Sequence, residues 1–114
     1  MDCVFCKIVE GSIPSKKVFE NEQVIAFHDI HPAAPVHLLI IPKKHIATLN
    51  DVDPGEWALI GEINRVAQLL AEEMGIADSG YRIVNNCNKD GGQEVFHLHY
   101  HLMGGARMGP LFSR

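Results

Sequence analysis

A chain of 114 residues, 46% of them hydrophobic, is long enough to bury one core and too short for two, so a single globular domain over 1–114 is expected. A net charge of −4 with neutral histidines supplies no broad basic field, which argues against a nucleic-acid polymer as partner and leaves room for a small phosphorylated ligand held by local groups. Three cysteines without a regular framework, and no aliphatic run longer than Leu38–Ile41, argue against disulfide stapling and membrane spanning; with no secretory layout in residues 1–11, the expected setting is cytoplasmic, its thiols reduced or holding a metal.

In chain order, Cys3 to Gly11 reads as a short helical turn stopped by glycine, after which Ile13-Pro14 turns the chain into an extended stretch around Val18-Phe19. Asn21-Glu22 is turn-like, and Gln23 to His28 reads as a second strand pairing back as a hairpin. Asp29 to Pro35 is a loop stiffened by Pro32-Ala33-Ala34-Pro35. Val36 to Ile41 is a third strand, ended by Pro42, which has no N–H to give a ladder.

A long helix is expected from Asp53 as cap, Pro54 in the first helical position and Glu56 as capping-box partner, ending near Gly75. Trp57, Ile60, Ile63, Ala67, Leu70 and Met74 form one apolar stripe, widened by Leu59, Val66 and Leu69; that width fits either deep burial or a second face used in a homodimer. Tyr81 to Asn86 is a fourth strand, Cys87 to Gln93 a polar loop, and Val95 to Met103 a fifth strand. Strands joined by turns rather than by repeated helical crossovers make the class α+β with a five-stranded antiparallel sheet, one long helix and a short amino-terminal helix.

On that fifth strand His97, His99 and His101 alternate with Leu98, Tyr100 and Leu102, so three imidazoles project from one face and the apolar side chains from the other. Desolvating three aligned imidazoles is costly without a function for them. Two chemistries use such a ladder: chelation of one catalytic zinc with an open water position, or a nucleophilic imidazole oriented by its neighbours. The ladder alone leaves both open.

The segment resembles the His-apolar-His-apolar-His-apolar-apolar signature of the histidine-triad (HIT) superfamily. Phe27-His28-Asp29-Ile30, Ala34-Pro35-Val36-His37, Ile41-Pro42-Lys43-Lys44-His45 and Asp90-Gly91-Gly92-Gln93 are similar to that family in order and spacing, and Gly104-Gly105 resembles its nucleoside-phosphoramidase, or Hint-like, branch. The resemblance implies a homodimeric hydrolase in which His99 attacks the α-phosphorus of a purine nucleotide, forming a nucleotidyl-histidine, with His101 and His37 completing the catalytic group. It implies further that Asp29 accepts from ribose hydroxyls, that Asn86, Gly92, Gln93 and Glu94 lie around the phosphate or leaving group, and that Val18, Phe19, Phe27, Ile30 and Leu39 form the base slot. Taken without the family, those five apolar residues read as ordinary core. Dinucleoside polyphosphate hydrolysis, a zinc hydrolase built on the ladder, and a non-catalytic nucleotide- or partner-binding module are the alternatives.

Cys3-Val4-Phe5-Cys6 is a C-x-x-C pair that can bring two thiolates to one ion, although a redox dithiol or coincidence has the same spacing. Some prokaryotic members of the resembled family close such a pair with two histidines, which here are His45 and His97. The implied site is a structural zinc, closed to water, with catalysis independent of metal. Cys87 has no evident partner, and His28 and His31 read as loop polars.

Overall fold

The computed structural model describes residues 3–111. Helix α1 (Val4–Glu10) starts at Cys3, whose Sγ accepts from the Cys6 N–H, and ends at Gly11 with φ +84°, a left-handed conformation that glycine adopts without penalty. Strands β1 (Lys17–Glu20) and β2 (Val24–His28) form the expected hairpin. Asn21 closes it, its Oδ1 accepting from the N–H groups of Gln23 and Val24. Strand β3 is Val36–Pro42, β4 Tyr81–Asn85 and β5 Tyr100–Gly104. The sheet runs β1-β2-β3-β5-β4 with every neighbouring pair antiparallel, so the α+β architecture is as expected.

Strand alternation divides the core in two. On one face Val24, Ala26, Leu38, Ile40, Leu98 and Leu102 meet Ile60, Ile63, Val66, Ala67, Leu70 and Ala71 of the long helix α2 (Trp57–Glu73). On the other, Ile25, Phe27, Leu39 and Ile41 pack with Cys3 and Phe5 of the amino-terminal segment. His37 shares this second face with Leu39 and Ile41, two and four residues along β3.

Two local expectations are revised. The long helix does not start at Asp53, whose side chain makes no capping bond; Pro54 opens a tight 3-10 turn (Pro54–Glu56), and Glu56 pairs with Lys44. The capping box sits one turn earlier, where Thr48 caps the 3-10 turn Leu49–Asp51 and Asp51 answers to the Thr48 N–H at 3.1 Å. Trp57 lies outside the buried stripe, 51% exposed. The fifth strand is also shorter than Val95–Met103. β3 pairs with β5 only as far as Ile40, with Pro42 offering no N–H beyond it, and β4 stops at Asn85, so residues before Tyr100 are held by other bonds: Leu98 N–H to the Ile46 carbonyl at 2.7 Å and the Asn85 amide to the His99 carbonyl at 2.9 Å. Alternation survives the loss of the ladder, with Leu98 in the α2 core and His97 and His99 against Phe5. Among the described residues no helix is long and apolar enough to cross a membrane.

Candidate active site and metal group

Pairing of β3 with β5 brings His37 and His101 together, ring centroids 5.1 Å apart, with His37 Nε2 2.9 Å from His101 Nδ1. Asp29, in the turn after β2, sets Oδ2 3.4 Å from His37 Nε2 while its Oδ1 accepts from the His31 N–H at 2.8 Å. The His99 ring lies 5.1 Å from that of His101. His99 Nδ1 is 2.8 Å from the His97 carbonyl oxygen. A carbonyl only accepts, so the ring proton sits on Nδ1 and Nε2 keeps its lone pair.

Burial depresses the pKa of His99, against smaller upward pulls from its bond to the His97 carbonyl and from Asp29 and Glu94. Burial, reinforced by His99 and His37, lowers His101 to about 4. Both rings are therefore neutral near pH 7. A neutral imidazole with its lone pair on Nε2, flanked by a second imidazole and a carboxylate, is a nucleophile for an electrophilic centre such as phosphorus.

The other expected site residues divide by position. Phe27 and Leu39 lie on the same side of the sheet as His37, with Phe5. Val18 and Phe19, at the irregular register of β1, pack instead against the α2 core, and Ile30 is 86% exposed beside Asp29. In the loop before the triad, the Asn86 amide donates to the Gly91 carbonyl at 2.6 Å. Gln93 is buried and spent on backbone: its amide donates to the carbonyls of Ala47 and Val95, and its Oε1 accepts from the Asn88 N–H. Gly92 takes φ +78° and is exposed, as is Glu94. At Gly91 a Cβ would fall 2.5 Å from the Cys87 carbonyl oxygen, so only glycine fits.

Three contributors were missed by sequence reasoning. Phe5 sets its ring edge-on to His99, His97 and Phe27, with centroids 5.1, 5.9 and 5.7 Å away. Asn85 holds the His99 carbonyl, and the Ala33 N–H donates to His37 Nδ1 at 2.9 Å. An aromatic inside a C-x-x-C helix was a readable signal for the first; the others are contacts between segments far apart or through the backbone, which leave no local pattern.

Cys3, Cys6, His45 and His97 converge and can hold a metal ion. His97 donates through Nε2 to the Pro42 carbonyl at 2.8 Å, which leaves the Nδ1 lone pair facing the group. His97 Nδ1 is 3.3 Å from Cys3 Sγ, 3.6 Å from Cys6 Sγ and 3.2 Å from His45 Nδ1, and Cys6 Sγ is 3.3 Å from His45 Nδ1. Tetrahedral zinc with Zn–N of about 2.0 Å and Zn–S of about 2.3 Å has ligand–ligand edges of about 3.3–3.8 Å, so the donor set fits. With no cation, burial and the Cys3 thiol push the Cys6 thiol up to about 11; a cation held there would reverse that.

The HIT domain model matches residues 10–108. The chain belongs to the HIT domain family. It is 46% identical over 112 residues to a purine nucleoside phosphoramidase of Escherichia coli K12, covering 98% of this chain and 94% of that relative. A HIT-like protein of Chlamydia trachomatis is 48% identical over 111 residues, covering 97% and 99%. Among solved HIT structures, a family hydrolase from Legionella pneumophila superposes with TM-score 0.93 at 53% identity, covering 95% of this chain and 96% of that one. A histidine triad protein from Clostridium difficile gives TM-score 0.95 at 46% identity, covering 98% and 97%.

Proposed function

We propose that this HIT-domain hydrolase cleaves purine nucleoside 5′-phosphoramidates, or related nucleotidyl esters, to nucleoside monophosphates through a nucleotidyl-His99 intermediate. The observation that carries this reading is the bond from His99 Nδ1–H to the His97 carbonyl, which reserves the Nε2 lone pair for attack. In the first step Nε2 forms a bond to the α-phosphorus, the P–N bond breaks, and its electron pair leaves with the amine, which takes a proton from solvent. The retained Nδ1–H then bears the charge of the substituted imidazolium against the His97 carbonyl. In the second step water attacks phosphorus, the P–Nε2 pair returns to His99, and the proton of water goes back to solvent.

His101 and His37 border the phosphate, and Asp29 takes ribose hydroxyls. Gly92 and Glu94 reach the phosphate side, with Asn86 and Gln93 shaping their loop. Phe27, Leu39 and Ile30 bound the base, and Val18 and Phe19 support that slot from beneath the hairpin. Cys3, Cys6, His45 and His97 hold a structural zinc that ties α1 to the sheet. The protein works in the cytoplasm as a homodimer. Against a zinc hydrolase built on the triad, the rings diverge: His97 groups with the two cysteines and His45, and His101 with Asp29 and His37.

The test is hydrolysis of adenosine 5′-phosphoramidate by the parent and by His99→Ala, each with and without a strong chelator. Turnover that falls by at least about 10³-fold in the variant and is unchanged by chelation supports the reading. Equal turnover by the variant, or loss on chelation in protein that stays folded, overturns it.

A further inference from the structure

Of the groups around the catalytic histidines, the backbone N–H of Ala33 has the widest consequence for its position. It lies in the loop Pro32-Ala33-Ala34-Pro35 and donates to His37 Nδ1 at 2.9 Å. Nδ1 therefore holds a lone pair. A neutral ring must then carry its proton on Nε2, and a protonated ring would set Nδ1–H against the Ala33 N–H. His37 Nε2–H points into a pair of acceptors, His101 Nδ1 at 2.9 Å and Asp29 Oδ2 at 3.4 Å. Because His101 Nδ1 accepts, the His101 proton sits on Nε2.

We infer that the Ala33 N–H is a positioning group for the proposed reaction: through His37 it fixes His101 in the Nε2–H tautomer, which presents a hydrogen-bond donor toward the phosphoryl group or leaving atom bound by His99. The inference rests on the proposed function for its catalytic consequence and on geometry alone for the tautomers. No proton is transferred in this role; His101 Nε2–H stabilises charge developing on oxygen or on the departing atom. The same tautomer withdraws His37 from metal ligation, since its Nε2 is protonated, although Asp29, His37 and His101 set three ligand-type atoms within 4.8 Å of one another. The two prolines flanking the Ala33-Ala34 pair restrict the loop that aims this single N–H.

The experiment has a spectroscopic and a kinetic arm. Long-range ¹H–¹⁵N spectra of the histidine rings in the parent at pH 7.5 are expected to show His37 and His101 as Nε2–H tautomers and His99 as Nδ1–H. Nδ1–H at His37 or His101 overturns the inference whether or not the protein turns over phosphoramidates, and absence of turnover with the expected tautomers overturns the proposed function and leaves this assignment standing. Replacing only the Ala33 amide by an ester removes the N–H with little change of shape; Ala33→Pro does the same genetically, and Ala33→Gly keeps the N–H as control. The ester variant is expected to mix the His37 and His101 tautomers and to lower kcat at least about tenfold on a phosphoramidate with a poor amine leaving group, with KM changed less than about threefold. A good leaving group such as p-nitrophenol is expected to rescue most of that loss. Parent-like tautomers and kcat in a folded ester variant overturn the inference.

Discussion

Phe5→Ala tests how the amino-terminal helix supports His99, the proposed nucleophile. Phe5 is 7% exposed and packs with Phe27, His97 and His99, while the helix that carries it has seven residues, too few to be stable without docking. Truncating a buried Phe costs about 3–5 kcal/mol where the site cannot collapse; this site lies near the surface and its helix can settle, so about 3 kcal/mol is expected. For a chain of this size that is a fall in Tm of about 10–15 °C. A kinetic signature accompanies it. Burial is the main cause of the depressed His99 pKa, so removing the ring raises that pKa toward 6.5 and moves the acid limb of the pH–rate profile to higher pH. Phe5→Leu, which refills most of the volume, is expected to cost less than about 1.5 kcal/mol and to leave the acid limb near its parent position. The assays are thermal unfolding and kcat against pH for the three proteins. A Phe5→Ala variant with Tm within about 2 °C of the parent and an unmoved acid limb refutes the reasoning.

Atomic spectroscopy is expected to find one metal equivalent per chain in the parent and none in Cys3→Ser or Cys6→Ser, each variant losing about 3–4 kcal/mol of stability where the metal is buffered at 100- to 1,000-fold its Kd. Gly91→Ala forces its Cβ against the Cys87 backbone, at 2.5 Å from the carbonyl oxygen, and is expected to cost about 1–3 kcal/mol, with kcat falling as the loop proposed to border the phosphate shifts. His101 makes stability pH-dependent. With its folded pKa lowered to about 4, its contribution is intact above about pH 6.5; as pH falls from 6.5 toward 4 the unfolded chain binds the proton first, and stability drops by up to about 1.4 kcal/mol per pH unit, less because the ring is only partly buried. Urea midpoints across that range measure it, and a His101→Gln variant is expected to flatten the slope.

The elements most readable in the sequence are those whose signal is local. The β-rich run Val36–Ile41 and the stop at Pro42 marked β3, and glycines at 11 and 75, both with positive φ, marked the ends of the two helices. What was misread depended on competition between neighbours. Asp53 and Glu56 spell a capping box as well as Thr48 and Asp51 do, yet Glu56 is drawn to Lys44, 12 residues earlier, and the Asp53 side chain makes no capping bond. The fifth strand looked longer than its ladder because His97 to Tyr100 alternate like a strand, while the proline that ends the partner strand is 55 residues from His97 in sequence. The histidine triad pointed to His99 and His101, which the structure sets beside His37, and the C-x-x-C pair pointed to two of the four residues that could hold a metal; His45 and His97 came from family likeness. The bond between Ala33 and His37 had no signature because any residue but proline supplies an N–H.

The covalent intermediate is the central claim, and rapid-quench mass spectrometry tests it most directly. Mixing excess protein with adenosine 5′-phosphoramidate and quenching within one turnover is predicted to give an acid-labile adenylyl adduct on the peptide holding His99, appearing and decaying at rates that account for kcat, and absent from His99→Ala. Full turnover by the parent with no adduct on any time scale faster than kcat, together with a single inversion at phosphorus on a chiral substrate, would contradict the account and show that water attacks directly.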